Sequence, residues 1–318
     1  MTARVVVADQ AFGNVTREEA AATTFRAAFD SYQCVSESET KEALTGANVA
    51  FVNFAPITRS VLETMAPGAL VIRYGIGYDN VDIQAARELG IAVSNVPDYG
   101  ADTVADHAVT CILALLRKVK QLDARIRSDG WLRPNDLGSM PGFSETTVGL
   151  VGTGRIGKAV AARLNPFGFR VIAHDPFVDA AALDGAGITL VPLETLLQQA
   201  DVVSLHAPLT PANHRLINEK TISEMRPNAL LVNTSRGGLV DEEALADALT
   251  DGRLGGAALD VFDPEPLAPE SRLRRLDNVL LTPHAAFFSN ESLANLQRLA
   301  AEEASRHLSG ERLRCPVT

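Results

Sequence analysis

Cysteine is scarce. The 318 residues hold three, Cys34, Cys111 and Cys315, an odd number at wide spacing. That excludes a disulfide framework and gives no zinc-ligand pattern, so no metal site is expected. Cys111 sits inside an apolar helical run and reads as a packing residue. Positive charge is also in deficit. The net charge is −10, from 29 basic and 39 acidic residues, which argues against nucleic acid or an anionic membrane as a partner. The local cluster of Arg272, Arg274 and Arg275 reads as solvated surface. Long apolar runs are missing too. The longest, Ala108 to Leu116 with Thr110 inside it, falls far short of the roughly 20 residues needed to span a bilayer. The opening MTARVVVADQ reaches a strand at once and has no signal-peptide hydrophobic region, so a cytoplasmic location is expected. No internal repeat or low-complexity segment stands out.

What remains is a globular composition, 46% apolar and 21% charged. The length suggests about two domains, because one core rarely grows past roughly 250 to 300 residues. Short β-branched runs alternate with helical patterns. Early strands are expected at Arg4–Ala8, Val49–Asn53, Leu70–Arg73 and Ala92–Asn95. Helical stretches are expected at Arg17–Phe29 and Arg59–Thr64. That alternation predicts an α/β fold with parallel sheets covered by helices. From about Asp102 to Ile126, apolar residues recur at three- and four-residue steps and predict one long helix. A Gly-, Pro- and Asp-rich loop, 129–144, follows, and the strand Thr146–Val151 opens a second α/β series. The domain boundary is placed near Tyr99–Gly100. The last helix, Asn290–Leu308, has no following strand in its own series, which suggests that it returns to the first lobe, although a chain-terminal helix could equally cover the second.

The strongest motif is Gly152-Thr-Gly154-Arg155-Ile156-Gly157. Alone, this spacing is weak. Here a buried-type strand leads in and an alanine-rich helix, Lys158–Asn165, leads out. The first glycine permits the tight turn, the second lets a pyrophosphate approach the backbone, and the third allows close helix–strand packing. The helix N-terminus offers free N–H groups to phosphates. A second strand, Phe169–His174, ends in Asp175, 18 residues past Gly157. A carboxylate there accepts from ribose hydroxyls and repels a 2′-phosphate, so NAD is expected over NADP. The alternative is a turn aspartate before Pro176.

Further strands, Asp201–His206, Ala229–Thr234, Gly256–Leu259 and Asn278–Thr282, place polar residues at the carboxyl edge of a sheet, where ligands collect. They are His206-Ala207-Pro208, Thr234-Ser-Arg236, Asp260 and His284. Arg236 lies in Asn-Thr-Ser-Arg-Gly-Gly, where a guanidinium could grip a carboxylate in two places. Glu265 lies between two prolines, and a carboxylate beside an imidazole favours the imidazolium. His206 rivals His284 on position alone. His107, His174, His214 and His307 read as turn or helix-face residues.

Taken together, Arg73–Asp82, Thr103-Val-Ala-Asp-His107, Gly152–Gly157, Leu205–Leu209, Val232–Gly238, Asp260–Pro266 and Thr282-Pro-His284 occur in an order that resembles the D-isomer-specific 2-hydroxyacid dehydrogenase family over nearly the whole chain. The resemblance implies two doubly wound α/β domains. One is a Rossmann NAD-binding domain, 100–284. The other is a discontinuous flavodoxin-like substrate domain, 1–99 plus 285–318. It implies NAD as cofactor, a 2-oxo or 2-hydroxy acid as substrate, and a homodimer. It assigns His284 as acid/base, Glu265 as its support and Arg236 as the substrate grip. The backbone of Tyr74-Gly75-Ile76-Gly77 would hold the substrate carboxylate. Thr103, Thr234, Asp260 and His206–Pro208 would lie near the cofactor.

One block departs. Many relatives follow the histidine with small residues, whereas this chain has Ala285-Ala-Phe287-Phe-Ser289, which is closer to the C-terminal binding protein branch. Phe287 is therefore a candidate pocket liner, with Phe54 and Tyr74, against plain helix-start packing. Asp106 stands where many relatives carry Glu. The branch supplies the rival expectation, an NAD(H)-responsive scaffold. Glu265 disfavours formate dehydrogenase, which would call for Gln there. The length disfavours a long phosphoglycerate dehydrogenase with a regulatory domain. Glyoxylate or hydroxypyruvate reduction stays open.

Overall fold

The computed structural model describes residues 2–318. It divides into two compact units, one comprising residues up to Gly100 with Phe288–Thr318, the other Ala101–Phe287.

The first unit runs β1 (Arg4–Val7), α1 (Thr16–Thr24), β2 (Ala28–Ser31), α2 (Glu37–Leu44), β3 (Val49–Val52), α3 (Arg59–Leu62), β4 (Leu70–Arg73), α4 (Ile83–Leu89) and β5 (Ala92–Ser94). Its five strands are all parallel, in the order β2-β1-β3-β4-β5. This is the flavodoxin-like order, with its switch point between β1 and β3. Successive side chains point to opposite faces, and both faces are buried. Val6, Ala50, Val52 and Val71 enter one core; Val5, Val7, Phe51, Leu70 and Ile72 enter the other. Burying each such Val, Leu, Ile or Phe contributes roughly 1.5–3 kcal/mol.

The expected helix Arg17–Phe29 is shorter than its pattern. It stops at Thr24, the chain turns through Arg26 in the left-handed region (φ 53°), and Ala28–Ser31 pairs with β1 as the sheet edge. An edge strand with two exposed residues of four carries no apolar run to announce it.

The second unit runs α5 (Ala101–Leu116), α6 (Val119–Asp129), β6 (Thr147–Val151), α7 (Arg155–Leu164), β7 (Arg170–His174), β8 (Ile188–Leu190), α8 (Leu193–Gln199), β9 (Val202–Leu205), α9 (Glu219–Glu224), β10 (Ala229–Asn233), α10 (Glu242–Thr250), β11 (Leu254–Leu259) and β12 (Val279–Leu281). Seven parallel strands take the order β12-β11-β10-β9-β6-β7-β8. The first six in chain order form the Rossmann arrangement, with the switch point between β6 and β9. Close packing on this sheet depends on Gly149, where a Cβ would lie 2.7 Å from Leu196 of α8.

The single helix expected over 102–126 is two helices. Lys118 adopts φ 50° between them, and its ammonium reaches the Leu137 carbonyl. The apolar period runs on through Val119 and Leu122 with no Gly or Pro, so the sequence carries no sign of the break. α6 has no buried residue. The three-residue edge strand β8 also went unanticipated.

The last helix, α11 (Asn290–Ser309), belongs to the first unit. Ser289 and Ser292 cap its start reciprocally, and Gly310 ends it at φ 74°. Its Leu296, Leu299, Ala300 and Ala304 join the core that holds Val5, Phe51 and Ile72. Among the described residues, no helix is long and apolar enough to cross a membrane.

Candidate active site

The carboxyl edge of the second unit's sheet gathers most of the expected residues. β6 delivers Gly152 at φ 99°, where a Cβ would meet His206 and Ala207 backbone atoms at 2.9 Å. The switch point thus sets the glycine loop directly against the end of β9. At Gly157 a Cβ would sit 2.2 Å from the Gly152 carbonyl oxygen, while Gly154 faces open space and caps α7. Arg155 and Ile156 form the first turn of α7, where N–H groups have no intrahelical partner. Such a loop fits a pyrophosphate against backbone.

Asp175 follows β7 and grips the same loop. Its Oδ2 accepts from Thr153 N (2.8 Å) and Thr153 Oγ1 (3.0 Å), and its Oδ1 accepts from Phe177 N (3.0 Å). Partial burial pushes the carboxyl up, but these donors outweigh burial and hold it below the ordinary value. It is ionised at neutral pH, the state in which a carboxylate can accept from ribose hydroxyls and repel a 2′-phosphate.

His206 ends β9. Its Nε2 pairs with Ser204 Oγ at 2.9 Å, and its Nδ1 is buried with no partner among the described residues. Burial pushes its pKa down to about 4, so the ring is neutral near pH 7. Ala207 is half-buried and Pro208 exposed. At the end of β10, Thr234 Oγ1 is likewise buried without a partner among the described residues. Two such orphaned polar atoms at adjacent strand ends suit a polar ligand, because a buried unsatisfied group costs free energy.

Arg236 sits on a loop fixed from both sides. Asn233 donates Nδ2–H to the Arg236 carbonyl (2.8 Å) and accepts from Ser235 N (3.0 Å), and Ser235 Oγ donates to Leu205 O (2.8 Å). Gly237 lies so close to Phe262 that a Cβ would come within 2.0 Å of its carbonyl carbon. That contact ties the Arg236 loop to the loop carrying Glu265. Glu265 accepts from Phe262 N (3.0 Å) through Oε1 and pairs through Oε2 with His284 Nδ1 at 2.7 Å. Burial raises its carboxyl, but His284, the Phe262 N–H and the nearby Arg236 charge bring it below the ordinary value. Arg236, Glu265 and His284 are therefore one electrostatic cluster. Glu242, the first residue of α10, accepts from Asp263 N at 2.9 Å and further steadies the Glu265 loop.

His284 follows β12 in the left-handed region (φ 51°), unusual for a residue with a Cβ. Asp260 surrounds it. The Asp260 carbonyl accepts from His284 N (2.7 Å), and its carboxylate accepts from Ala285 N (2.8 Å), Ala286 N (2.9 Å) and Thr282 Oγ1 (2.5 Å). With 1% exposure, the Asp260 side chain spends its acceptors on its own chain. The ring of Phe287 stands edge-on to His284, centroids 6.3 Å apart. Thr103 lies one turn before His107 on α5. Asp106 on the same helix accepts from Arg163 Nε (2.6 Å), a structural tie.

The first unit holds the remaining expected residues. Gly75 has φ 121°, and a Cβ would fall 2.1 Å from Arg73 Nη1. The carbonyls of Gly75 and Ile76 are fixed by Val96 N and Asn95 Nδ2, and Gly77 follows half-buried. Tyr74 corrects the expectation of a pocket liner. Its ring is 1% exposed, stacks on Phe51 and meets Phe12 edge-on. Its hydroxyl donates to Glu18 at 2.8 Å. A tyrosine between Arg73 and Gly75 alternates inward on β4's continuation, so only its backbone is available to a ligand. Phe54, by contrast, is 51% exposed.

The strand-end residues were found in the sequence, and what it hid was their support. Asn233, Ser235 and Glu242 are polar residues without a motif, and His107 lies 175 positions from Thr282, its partner.

Residues 109–286 match the family model described as D-isomer specific 2-hydroxyacid dehydrogenase, NAD binding domain. A glyoxylate reductase of Korarchaeum cryptofilum is 40% identical over 258 residues, 80% of this chain and 78% of that protein. A D-3-phosphoglycerate dehydrogenase of Synechocystis is 38% identical over 254 residues, 80% of this chain but 45% of that protein, so this chain spans under half of that relative. The structure of a D-lactate dehydrogenase of Aquifex aeolicus, complexed with NAD and lactic acid, superposes with a TM-score of 0.88 at 28% identity, covering 97% of this chain and 96% of that one. With the Rossmann strand order and the glycine loop in place, the chain belongs to the D-isomer-specific 2-hydroxyacid dehydrogenase family, as an NAD-dependent oxidoreductase acting on CH–OH groups.

Proposed function

We propose that the protein reduces a small 2-oxo acid to its D-2-hydroxy acid, and runs the reverse oxidation, with His284 as acid/base. The observation that carries this reading is the 2.7 Å pair of His284 Nδ1 and Glu265 Oε2 beside Arg236. The carboxylate takes the Nδ1–H, which leaves Nε2 as the nitrogen that exchanges a proton with substrate. When bound, NADH would supply the hydride to C2. As charge develops on the substrate oxygen, imidazolium His284 gives it a proton, and Glu265 stabilises the charged ring beforehand. Arg236 grips the substrate carboxylate and polarises the 2-oxo group. The backbone of Gly75-Ile76-Gly77 is assigned further carboxylate contacts. In the oxidative direction neutral His284 accepts the hydroxyl proton.

The cofactor assignments follow the same reading. Gly152, Gly154, Arg155, Ile156 and Gly157 hold the pyrophosphate, and Asp175 the ribose. His206, Ala207, Pro208, Thr103 and Thr234 flank the remainder, with Asp260 contributing through the segment that it braces. The first unit serves as the substrate domain. A homodimer is proposed through α6, whose residues are all at least partly exposed and which leads to Trp131 at 90% exposure. Substituting Trp131→Glu should shift the sedimentation equilibrium toward monomer; an unchanged distribution removes this face from the proposal.

The deciding experiment is NADH oxidation against a panel of 2-oxo acids, from glyoxylate and hydroxypyruvate to branched and aromatic acids, with His284→Ala alongside. Turnover that the variant loses supports the reading. Tight NADH binding without turnover on any acid would favour a cofactor-sensing scaffold instead.

A further inference from the structure

We propose that His107 is a positioning residue for the catalytic segment, acting through Thr282 and Asp260; the proposal rests on reading His284 with Glu265 as the acid/base pair. His107 lies on α5, and its Nε2 is 3.2 Å from Thr282 Oγ1. The Thr282 hydroxyl has one proton, and the 2.5 Å contact to Asp260 Oδ1 uses it, because that carboxylate oxygen can only accept. Thr282 Oγ1 must therefore accept from His107. This fixes His107 as the Nε2–H donor and orders a relay from His107 Nε2–H to Thr282 Oγ1–H to Asp260 Oδ1. His107 Nε2 itself stays 3.9 Å from Asp260 Oδ1, too far for a direct hydrogen bond.

The end of the relay is where the backbone is most constrained. His284 holds a left-handed φ of 51°, a conformation that surrounding structure must impose on a residue with a Cβ. Asp260 imposes it. It accepts His284 N through its carbonyl and Ala285 N and Ala286 N through its two carboxylate oxygens. The same Oδ1 that takes Ala285 N takes Thr282 Oγ1. If His107 no longer holds the Thr282 hydroxyl, that hydroxyl is free to rotate off Asp260, and the carboxylate loses a donor in a site with 1% exposure. The segment then relaxes and His284 shifts relative to Glu265 and substrate. Geometry of this kind dominates rate, since a displacement of about 1 Å can cost on the order of a hundredfold. Nε2 carries a proton both in the neutral tautomer required here and in the imidazolium, so the brace holds in either charge state.

The test is steady-state NADH oxidation with glyoxylate for His107→Ala, His107→Gln, Thr282→Val and the double variant His107→Ala/Thr282→Val, with His284→Ala in the same series. NADH affinity is read separately by its fluorescence. His107→Ala should lower kcat about tenfold at every pH measured, with NADH affinity unchanged. His107→Gln, whose amide N–H reaches a similar point, should restore most of the loss. The double variant should lose no more than Thr282→Val alone, because both changes cut one relay. A His107→Ala kcat within about twofold of wild type, a Gln variant no better than Ala, or losses that multiply in the double variant would overturn the proposal. Should Thr282→Val not fold, the Ala-against-Gln comparison decides by itself. Retained turnover in His284→Ala would instead remove the acid/base reading, whatever His107 shows.

Discussion

Two histidines close strands on the same edge of the same sheet. His206 ends β9 and His284 follows β12, and their sequence contexts, HAP and PHA, look equally suited to chemistry. Their surroundings separate them. His206 is half-buried with its Nδ1 fully enclosed, is bonded through Nε2 to a neutral serine, and is pushed by desolvation down to about 4. His284 meets a carboxylate at 2.7 Å and keeps a partly exposed ring. Burial without a counter-charge makes an imidazole a neutral polar wall; burial on one side with a carboxylate makes it a proton donor. A strand end supplies position, and the partner decides the role.

The largest expected break in the comparison is His284→Ala. Loss of general acid–base catalysis should lower kcat by about a thousandfold, within the usual range for such groups, whereas His206→Gln should mainly weaken NADH binding. Equal losses in turnover from both would end the distinction.

The next effect concerns stability. The folded His206 pKa of about 4 lies below its ordinary 6.5, so the unfolded chain takes up the proton first as pH falls. The His206 contribution to stability is complete above about pH 6.5, is lost progressively toward pH 4 and levels off below. Two and a half pK units correspond to about 3 kcal/mol. Urea unfolding of wild type and His206→Gln at pH 7 and pH 4.5 should show a smaller acid penalty in the variant. A parallel decline would mean that His206 is not held neutral by the fold. Smaller again is Glu265→Gln. It keeps an acceptor for Phe262 N but removes the charge beside His284, and kcat should fall about tenfold to a hundredfold. Glu265 is held below its ordinary value, so its charge is present throughout the neutral range and the substitution removes it there.

How much of this was legible in the sequence follows from how local each signal is. The glycine loop, Asp175 and the order of strand ends are local, each fixed by a few consecutive residues and by the rule that ligands gather at carboxyl edges. Fully buried strands such as Val49–Val52 and Val202–Leu205 announce themselves by composition. Edge strands β2 and β8 do not, and neither does the break at Lys118, where the apolar period continues across a left-handed residue. The same limit applies within the site. His284 and Glu265 lie 19 positions apart and could be paired by inspection, but the relay from His107 to Thr282 joins residues 175 apart. Tyr74 failed for another reason: its neighbours Arg73 and Gly75 belong to a strand end, yet alternation turns its ring into the core.

The smallest expected effect isolates Phe287, the residue that gives His284 an aromatic neighbour. The rings meet edge-on at 6.3 Å and 78°, a geometry worth at most about 1 kcal/mol beyond packing between aromatic rings. Glu265 already fixes the imidazole by a charge-assisted bond, which is stronger. Removing the aromatic ring should therefore leave His284 in place and instead open space beside it. For Phe287→Ala, kcat on glyoxylate should stay within about twofold of wild type, while kcat/KM for a branched or aromatic 2-oxo acid relative to glyoxylate should rise about tenfold, the size of a methylene-scale change in a pocket. The measurement is the ratio of the two kcat/KM values in wild type and variant. A fall in kcat on glyoxylate as large as that of Glu265→Gln would show that the aromatic wall, and not the carboxylate alone, holds the acid/base in register. An unchanged ratio would return Phe287 to the packing of the segment that leads into α11.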